Sequence, residues 1–126
     1  MNNKRIKIRS SGKLIRDYLY VDDAVNAYYL IMKALQRFKN KKLLIYNVGS
    51  KYNLSVIEMV NLLLSLMNKN NLKPIITNKS KQEIIFQKLN DRKIKKDLGW
   101  KQKVSLKSGL IETINWYKKN KNLFKK

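Results

Sequence analysis

Short apolar runs alternate with longer stretches of helical periodicity along this chain, and that alternation constrains its fold more than any other feature. Strands interleaved with helices specify an α/β arrangement. Residues 5–9 alternate as an exposed strand does, and Ser10, Ser11, Gly12 and Lys13 supply a turn. Residues 14–21, rich in β-branched and aromatic side chains, predict a strand. Asp22 or Asp23 then caps a helix over 24–36, whose stripe is Ala24, Ala27, Tyr28, Ile31 and Leu35. A basic connector at 39–42 leads to a buried strand over 43–48, closed by Gly49.

The clearest local signal follows. Ser55 and Glu58 have capping-box spacing, and Leu54 is placed to staple onto Met59. The helix that they start, over 56–67, is apolar around much of its circumference, so it calls for burial on more than one side. Residues 68–71 end it. Residues 73–77 predict a short strand near Pro74, the only proline, and 83–87 a further extended segment. A short helix over 90–98 ends at Gly99, and Ser105 caps a last helix with apolar positions Leu106, Leu110, Ile111, Ile114 and Tyr117. The basic tail 121–126 is expected to fray, which leaves 1–120 as one domain.

Composition narrows the chemistry. Histidine and cysteine are both absent, which removes the commonest general base, the usual zinc ligands and any disulfide scaffold, and makes a reducing cytoplasm the natural expectation. No apolar run approaches the ~20 residues that span a bilayer, so no membrane segment is expected. The net charge of +21 favours anionic partners. Nearly all of the excess is lysine, whereas the bidentate reading of guanine or phosphate favours arginine. A basic nucleic-acid-binding module is therefore the alternative reading rather than the first. A gene remnant without activity is a third.

Gly12, Gly49, Gly99 and Gly109 are too scattered to form a dinucleotide loop or a phosphate-cradling P-loop. Adjacent Asp22 and Asp23 read as a helix cap rather than a catalytic pair. Tyr29 with Lys33 and Tyr117 with Lys121 have the spacing of a tyrosine–lysine catalytic pair, but in so lysine-rich a chain such matches arise by chance.

Ordered segments along most of the chain carry a resemblance. Gly12, Arg16-Asp17-Tyr18, Tyr20-Val21 and Asp23-Ala24-Val25 form a strand-turn-helix pattern; Tyr46-Asn47-Val48-Gly49 and Leu54-Ser55-Val56 with Glu58 and Val60 follow. Glu83-Ile84 with Gln87 and Leu89, then Leu98-Gly99-Trp100, and the stretch from Val104 to Tyr117 complete the series. Together they resemble the C-terminal part of extended short-chain dehydrogenase/reductases, the NAD-dependent nucleotide-sugar epimerases and 4,6-dehydratases. Relatives of CDP-glucose 4,6-dehydratase look nearest. The resemblance implies the C-terminal portion of a Rossmann-type α/β fold, with the cofactor-binding half and the catalytic residues outside this chain.

It further implies that NAD serves the complete enzyme without binding this chain alone, and that a nucleotide diphosphate sugar is the ligand. Arg16 takes the position of the family's diphosphate-binding arginine, the competing reading being a pair with Asp17 or Asp22. Asn53 takes a position that some relatives use to contact the nucleotide, or is a plain polar residue before a cap. Gln87 lies near where many relatives place a nucleotide-binding arginine. Asn90 and Arg92 depart from the family's usual residues, as does Ser108. Because the family's helices pack on a cofactor sheet, an exposed apolar face awaiting a separately encoded N-terminal half is expected.

Overall fold

In a computed structural model, residues 5–37, 43–80 and 82–124 are described. They form strands β1 (Lys7–Ile8), β2 (Ile15–Asp17), β3 (Asn53–Ser55) and β4 (Ile75–Ile76) and helices α1 (Val21–Arg37), α2 (Val56–Leu66), α3 (Arg92–Leu98) and α4 (Leu106–Lys119). A short 3₁₀ helix covers Lys121–Phe124, so the tail stays helical further than expected. The predicted connector at 39–42 lies outside the described residues.

Two small ladders replace a continuous sheet. β1 pairs parallel with β4, and β2 pairs antiparallel with β3 in the register Ile15↔Ser55, Arg16↔Leu54, Asp17↔Asn53. Ile15 also bridges Phe86 in parallel, so the extended segment expected over 83–87 flanks β2 on its other edge. The expectation of an exposed first strand holds only on one side, because Ile8 is 4% exposed. The strand expected over 14–21 is confined to three residues, since the chain turns after Asp17 and enters α1 at Val21.

Asp22 and Asp23 do not cap α1. They sit inside its first turn, and Asp23 is buried. Its carboxylate accepts the backbone N–H groups of Lys103 at 2.8 Å and Val104 at 3.0 Å. The same residue's carbonyl accepts the Trp100 indole N–H at 3.0 Å. Trp100 and Ile94 are fully buried and, with Ala27, form the centre of the core, on which Leu19, Leu30, Ile31, Tyr46, Val48 and Leu98 pack.

The stripe predicted on α1 is only partly the buried one. Ala27 and Ile31 face the core, but Tyr28 is 75% exposed and Leu35 is exposed as well. Val21, Val25, Tyr29 and Met32 are exposed too, which leaves α1 with a second, uncovered apolar side.

The segment 43–48 forms no ladder among the described residues, contrary to its strand pattern. It keeps the alternation of a strand: Leu44, Tyr46 and Val48 turn inward, while Leu43, Ile45 and Asn47 are exposed. What holds it is α3, through a hydrogen bond from the Tyr46 hydroxyl to Asp97 and one from the Lys93 ammonium to the Ile45 carbonyl. Lys93 also lies 3.8 Å from the Tyr46 ring centroid.

Helix α2 starts as its sequence predicts. Ser55 Oγ accepts the Glu58 N–H and Glu58 Oε2 accepts the Ser55 N–H at 2.7 Å, a complete capping box. Both bonds from Ser55 hold the Glu58 carboxyl below its ordinary range. Its apolar residues are all buried or half-buried, so the all-round pattern is largely satisfied within the chain. Asn68, at φ 55, ends the helical run in the left-handed region, and Gly99, at φ 65, does the same after α3. Ser105 Oγ accepts the Ser108 N–H and starts α4.

Gly109, inside α4, lies against Tyr20: a Cβ there would stand 2.8 Å from the ring. In an open helix, glycine to alanine gains about 1 kcal/mol. Here the ring cannot yield without disturbing the α1 entrance, so Gly109→Ala is expected to lower stability by about 1–3 kcal/mol, read as a lower urea midpoint. A rise in midpoint would contradict this packing.

Candidate functional site

β2 is the element on which the site is built. Its neighbours are β3 on one edge and the 83–87 segment on the other, and its three residues alternate between two faces of that small sheet.

Arg16 pairs with neither Asp17 nor Asp22. Its Nη2 lies 3.0 Å from Glu83 Oε2, and its Nη1 donates to the carbonyls of Ile15 at 2.9 Å and Ile84 at 2.8 Å. The guanidinium is thus fixed on one side by the 83–87 segment. Its Nε–H and the second Nη2–H have no partner among the described residues, so donors remain for an anion.

Asn53 opposes Asp17, and directly opposed residues share a face, so the register sets Asn53 on the opposite face from Arg16. Its side-chain Nδ2 is buried and finds no hydrogen-bond partner among the described residues. A buried donor left open in this way is stabilised by any acceptor that reaches it. Gln87 adjoins Phe86, the bridge partner of Ile15, which places it on the Arg16 face. Its N–H donates to the Ile15 carbonyl at 3.2 Å, and its side chain is exposed. The structure therefore brings Arg16 and Gln87 onto one face and leaves Asn53 on the other.

Asp17 organises this region, a role that none of its sequence neighbours indicates. Oδ1 accepts the Ser50 N–H at 2.7 Å and Oδ2 accepts the Leu89 N–H at 3.0 Å, so one carboxylate ties two distant loops to β2. Gly49 makes that closure possible: a Cβ there would stand 2.6 Å from the Leu89 carbonyl oxygen.

Tyr18 and Tyr20 continue the chain past β2. Burial pushes the Tyr18 phenol up, with Arg16 opposing it in part, and desolvation with nearby Asp22 and Glu112 pushes Tyr20 up. Both phenols stay protonated at neutral pH, suited to donating hydrogen bonds rather than to base work. Of the tyrosine–lysine matches, Lys33 stacks 4.9 Å from the exposed Tyr29 ring, and Tyr117 belongs to an edge-to-face cluster with Trp116 and Phe124. No group of His, Cys, Asp or Glu among the described residues is arranged to hold a metal ion.

The glycines do not fit a dinucleotide. Gly12 takes φ 79 in a turn and Gly99 φ 65 after α3, while Gly49 and Gly109 are packed against Leu89 and Tyr20. None opens a helix toward a pyrophosphate, as a dinucleotide loop requires.

The family model described as GDP-mannose 4,6 dehydratase matches residues 2–113. The chain belongs to this family. Human dTDP-D-glucose 4,6-dehydratase is 32% identical over 130 residues, covering 94% of this chain and 34% of the relative. Probable GDP-L-fucose synthase 1 of Oryza sativa subsp. japonica is 29% identical, again over 94% of this chain and 34% of its own length.

Among solved structures, UDP-glucose 4-epimerase of Thermotoga maritima, determined with UDP-glucose, aligns with a TM-score of 0.77 at 28% identity, over 93% of this chain and 36% of that one. The dTDP-glucose 4,6-dehydratase of Streptomyces venezuelae, determined with NAD, aligns at 0.82 and 22% identity, over 94% of this chain and 35% of that one, and shows the shared fold. The α/β portion of an extended short-chain dehydrogenase/reductase expected from the sequence is what the chain adopts, and it spans about a third of the length of these relatives.

Arg16 and Glu83 are both partly exposed, so water screens their pair. Arg16→Ala is expected to shift folding stability by about 1 kcal/mol or less, measured as a urea midpoint, which makes it a clean variant for binding studies. A much larger loss would make Arg16 a structural residue.

Proposed function

We propose that this chain is the nucleotide-sugar-binding portion of an NAD-dependent 4,6-dehydratase or epimerase, a lyase or isomerase whose redox chemistry is carried by polypeptide outside these residues. The observation that carries the reading is the Arg16 guanidinium, fixed at a strand by Glu83 and two carbonyls with donors left over. A planar fork held in this way suits a diphosphate. Family membership supports the ligand class, and the epimerase of Thermotoga maritima was solved with UDP-glucose. Gln87 takes a neutral place beside Arg16 where a charge would otherwise stand, whereas Asn53 faces away from Arg16 and stays outside this binding face.

Residues 1–120 form this binding portion, with 121–126 as a basic appendage, and a cytoplasmic setting suits a chain without cysteine. Among the described residues no helix is long and apolar enough to cross a membrane. NAD is held by the polypeptide that completes the fold, where it supplies hydride transfer.

Isothermal calorimetry of the chain with UDP-glucose and dTDP-glucose tests the reading. Binding in the millimolar range or tighter, lowered at least tenfold by Arg16→Ala, is expected. Equal binding by both proteins removes Arg16, and no binding of either sugar nucleotide removes the proposal.

The completing half docks on the uncovered side of α1. Val25, Tyr28, Tyr29 and Met32 there, and Leu43 and Ile45 beyond, are 48–82% exposed, an apolar surface of the kind that marks an interface. Alone, the chain is expected to bind a hydrophobic dye strongly and to self-associate in sedimentation runs. A monodisperse, dye-silent monomer with a cooperative urea transition argues against a missing partner.

A further inference from the structure

A second concave site lies on the far side of β2 from Arg16, and nothing in the proposed function uses it. The cleft, of about 630 Å³, is lined on one wall by Ser50 and Lys51 and on the other by Phe86, Lys88, Leu89 and Arg92. Its walls are not independent loops. Asp17 holds both, through the N–H groups of Ser50 and Leu89, and Gly49 packs on the Leu89 carbonyl behind them. The opening is therefore set by one carboxylate and one glycine rather than by mobile side chains.

Charge in this cleft is unbalanced. Its only acid, Asp91, pairs with Lys95 at 2.8 Å. Among the described residues no carboxylate pairs with Lys51, Lys88 or Arg92. Lys51 rests 5.2 Å from the Tyr52 ring, an interaction that leaves its charge uncompensated. Beside these cations the Phe86 side chain is 60% exposed, although its backbone is fixed by the bridge to Ile15. Cations without partners attract phosphate oxygens, and an open aromatic ring on a fixed backbone offers a face to a planar base.

We propose that this cleft binds a nucleoside polyphosphate, with Lys51, Lys88 and Arg92 contacting the phosphates and Phe86 stacking on the base, as a site separate from Arg16. The volume exceeds what a phosphate alone occupies and falls within the range of small-molecule pockets. Because Arg16 lies on the other face of the ladder, the two sites do not share side chains.

Calorimetry of the full chain with ADP and with inorganic pyrophosphate, at low and physiological salt, tests the assignment. Both probes are expected to bind, and the Lys88→Glu/Arg92→Glu double variant to weaken each at least tenfold. Phe86→Ala is expected to weaken ADP about fivefold and pyrophosphate hardly at all. Because the Arg16 guanidinium also suits a diphosphate, both titrations are repeated in an Arg16→Ala background, where the loss caused by Lys88→Glu/Arg92→Glu is expected to persist. A control pair, Lys118→Glu/Lys119→Glu on α4, reports diffuse attraction to a chain of charge +21. Phe86, Lys88, Arg92, Lys118 and Lys119 are all exposed, and a matched urea midpoint shows that each variant folds.

Absence of ADP and pyrophosphate binding overturns the proposal. So does an equal loss in the α4 control, or binding that survives Lys88→Glu/Arg92→Glu and disappears with Arg16→Ala. Sugar-nucleotide binding that depends on Arg16 while the cleft fails this test leaves the function proposed above intact, so the two readings fail separately.

Discussion

Two buried or half-buried aspartates determine how this chain closes. Asp17 at the end of β2 gathers the loops at Ser50 and Leu89, and Asp23 in the first turn of α1 gathers the loop at Lys103 and Val104. Each carboxylate satisfies two backbone N–H groups that would otherwise stand unpaired next to the core, and hydrogen bonds to a charged acceptor are the stronger kind. The strand–helix segment 15–27 is thereby the hub: the loop after 43–48, the loop before α3 and the loop before α4 all end on it. Trp100 completes the arrangement, because its indole N–H reaches the Asp23 carbonyl while its ring fills the centre of the core.

That dependence explains how ladders of two or three residues hold a fold together. The described sheets are too small to organise the chain by backbone pairing alone. Side-chain to backbone clamps and a compact apolar centre of Ala27, Ile94 and Trp100 take over that role. The 43–48 segment illustrates the same point: it has the alternation of a strand, but Lys93 and Asp97 of α3 hold it, not a neighbouring strand. The relatives that the chain matches are about three times as long.

Local signals were legible wherever a few consecutive residues decide the outcome. The Ser55–Glu58 box, the Ser105 start of α4, the turn to Gly99 and the short strand at 75–76 each follow from residues within one turn or ladder step. What escaped was long-range. Nothing adjacent to Asp23 indicates that its partners are some eighty positions away, so a helix cap was the natural reading of an acid before an apolar stripe. Arg16 shows the same limit, since its carboxylate partner is Glu83 rather than a neighbour. At the candidate site, the face that Arg16 takes could not be read without the register that sets Asn53 opposite Asp17. Residue types were readable from sequence; their convergence was not.

The clamps also account for where the positive charge acts. Of eight acidic residues, Asp17 and Asp23 bind backbone, Glu58 caps α2, Glu83 holds Arg16, and Asp91 and Asp97 pair with lysines one helical turn away on α3. Only Asp22 and Glu112 are left, and both lie near Tyr20. Almost every carboxylate is thus committed to architecture, and few are left to compensate so large an excess of cations. A uniform excess would act as a diffuse field, screened within about 10 Å at ordinary salt. Concave regions differ, because several cations there act on one ligand at distances shorter than the screening length. The two positions where cations converge on one concavity or one open fork are the Arg16 guanidinium and the cleft whose two walls Asp17 ties to β2.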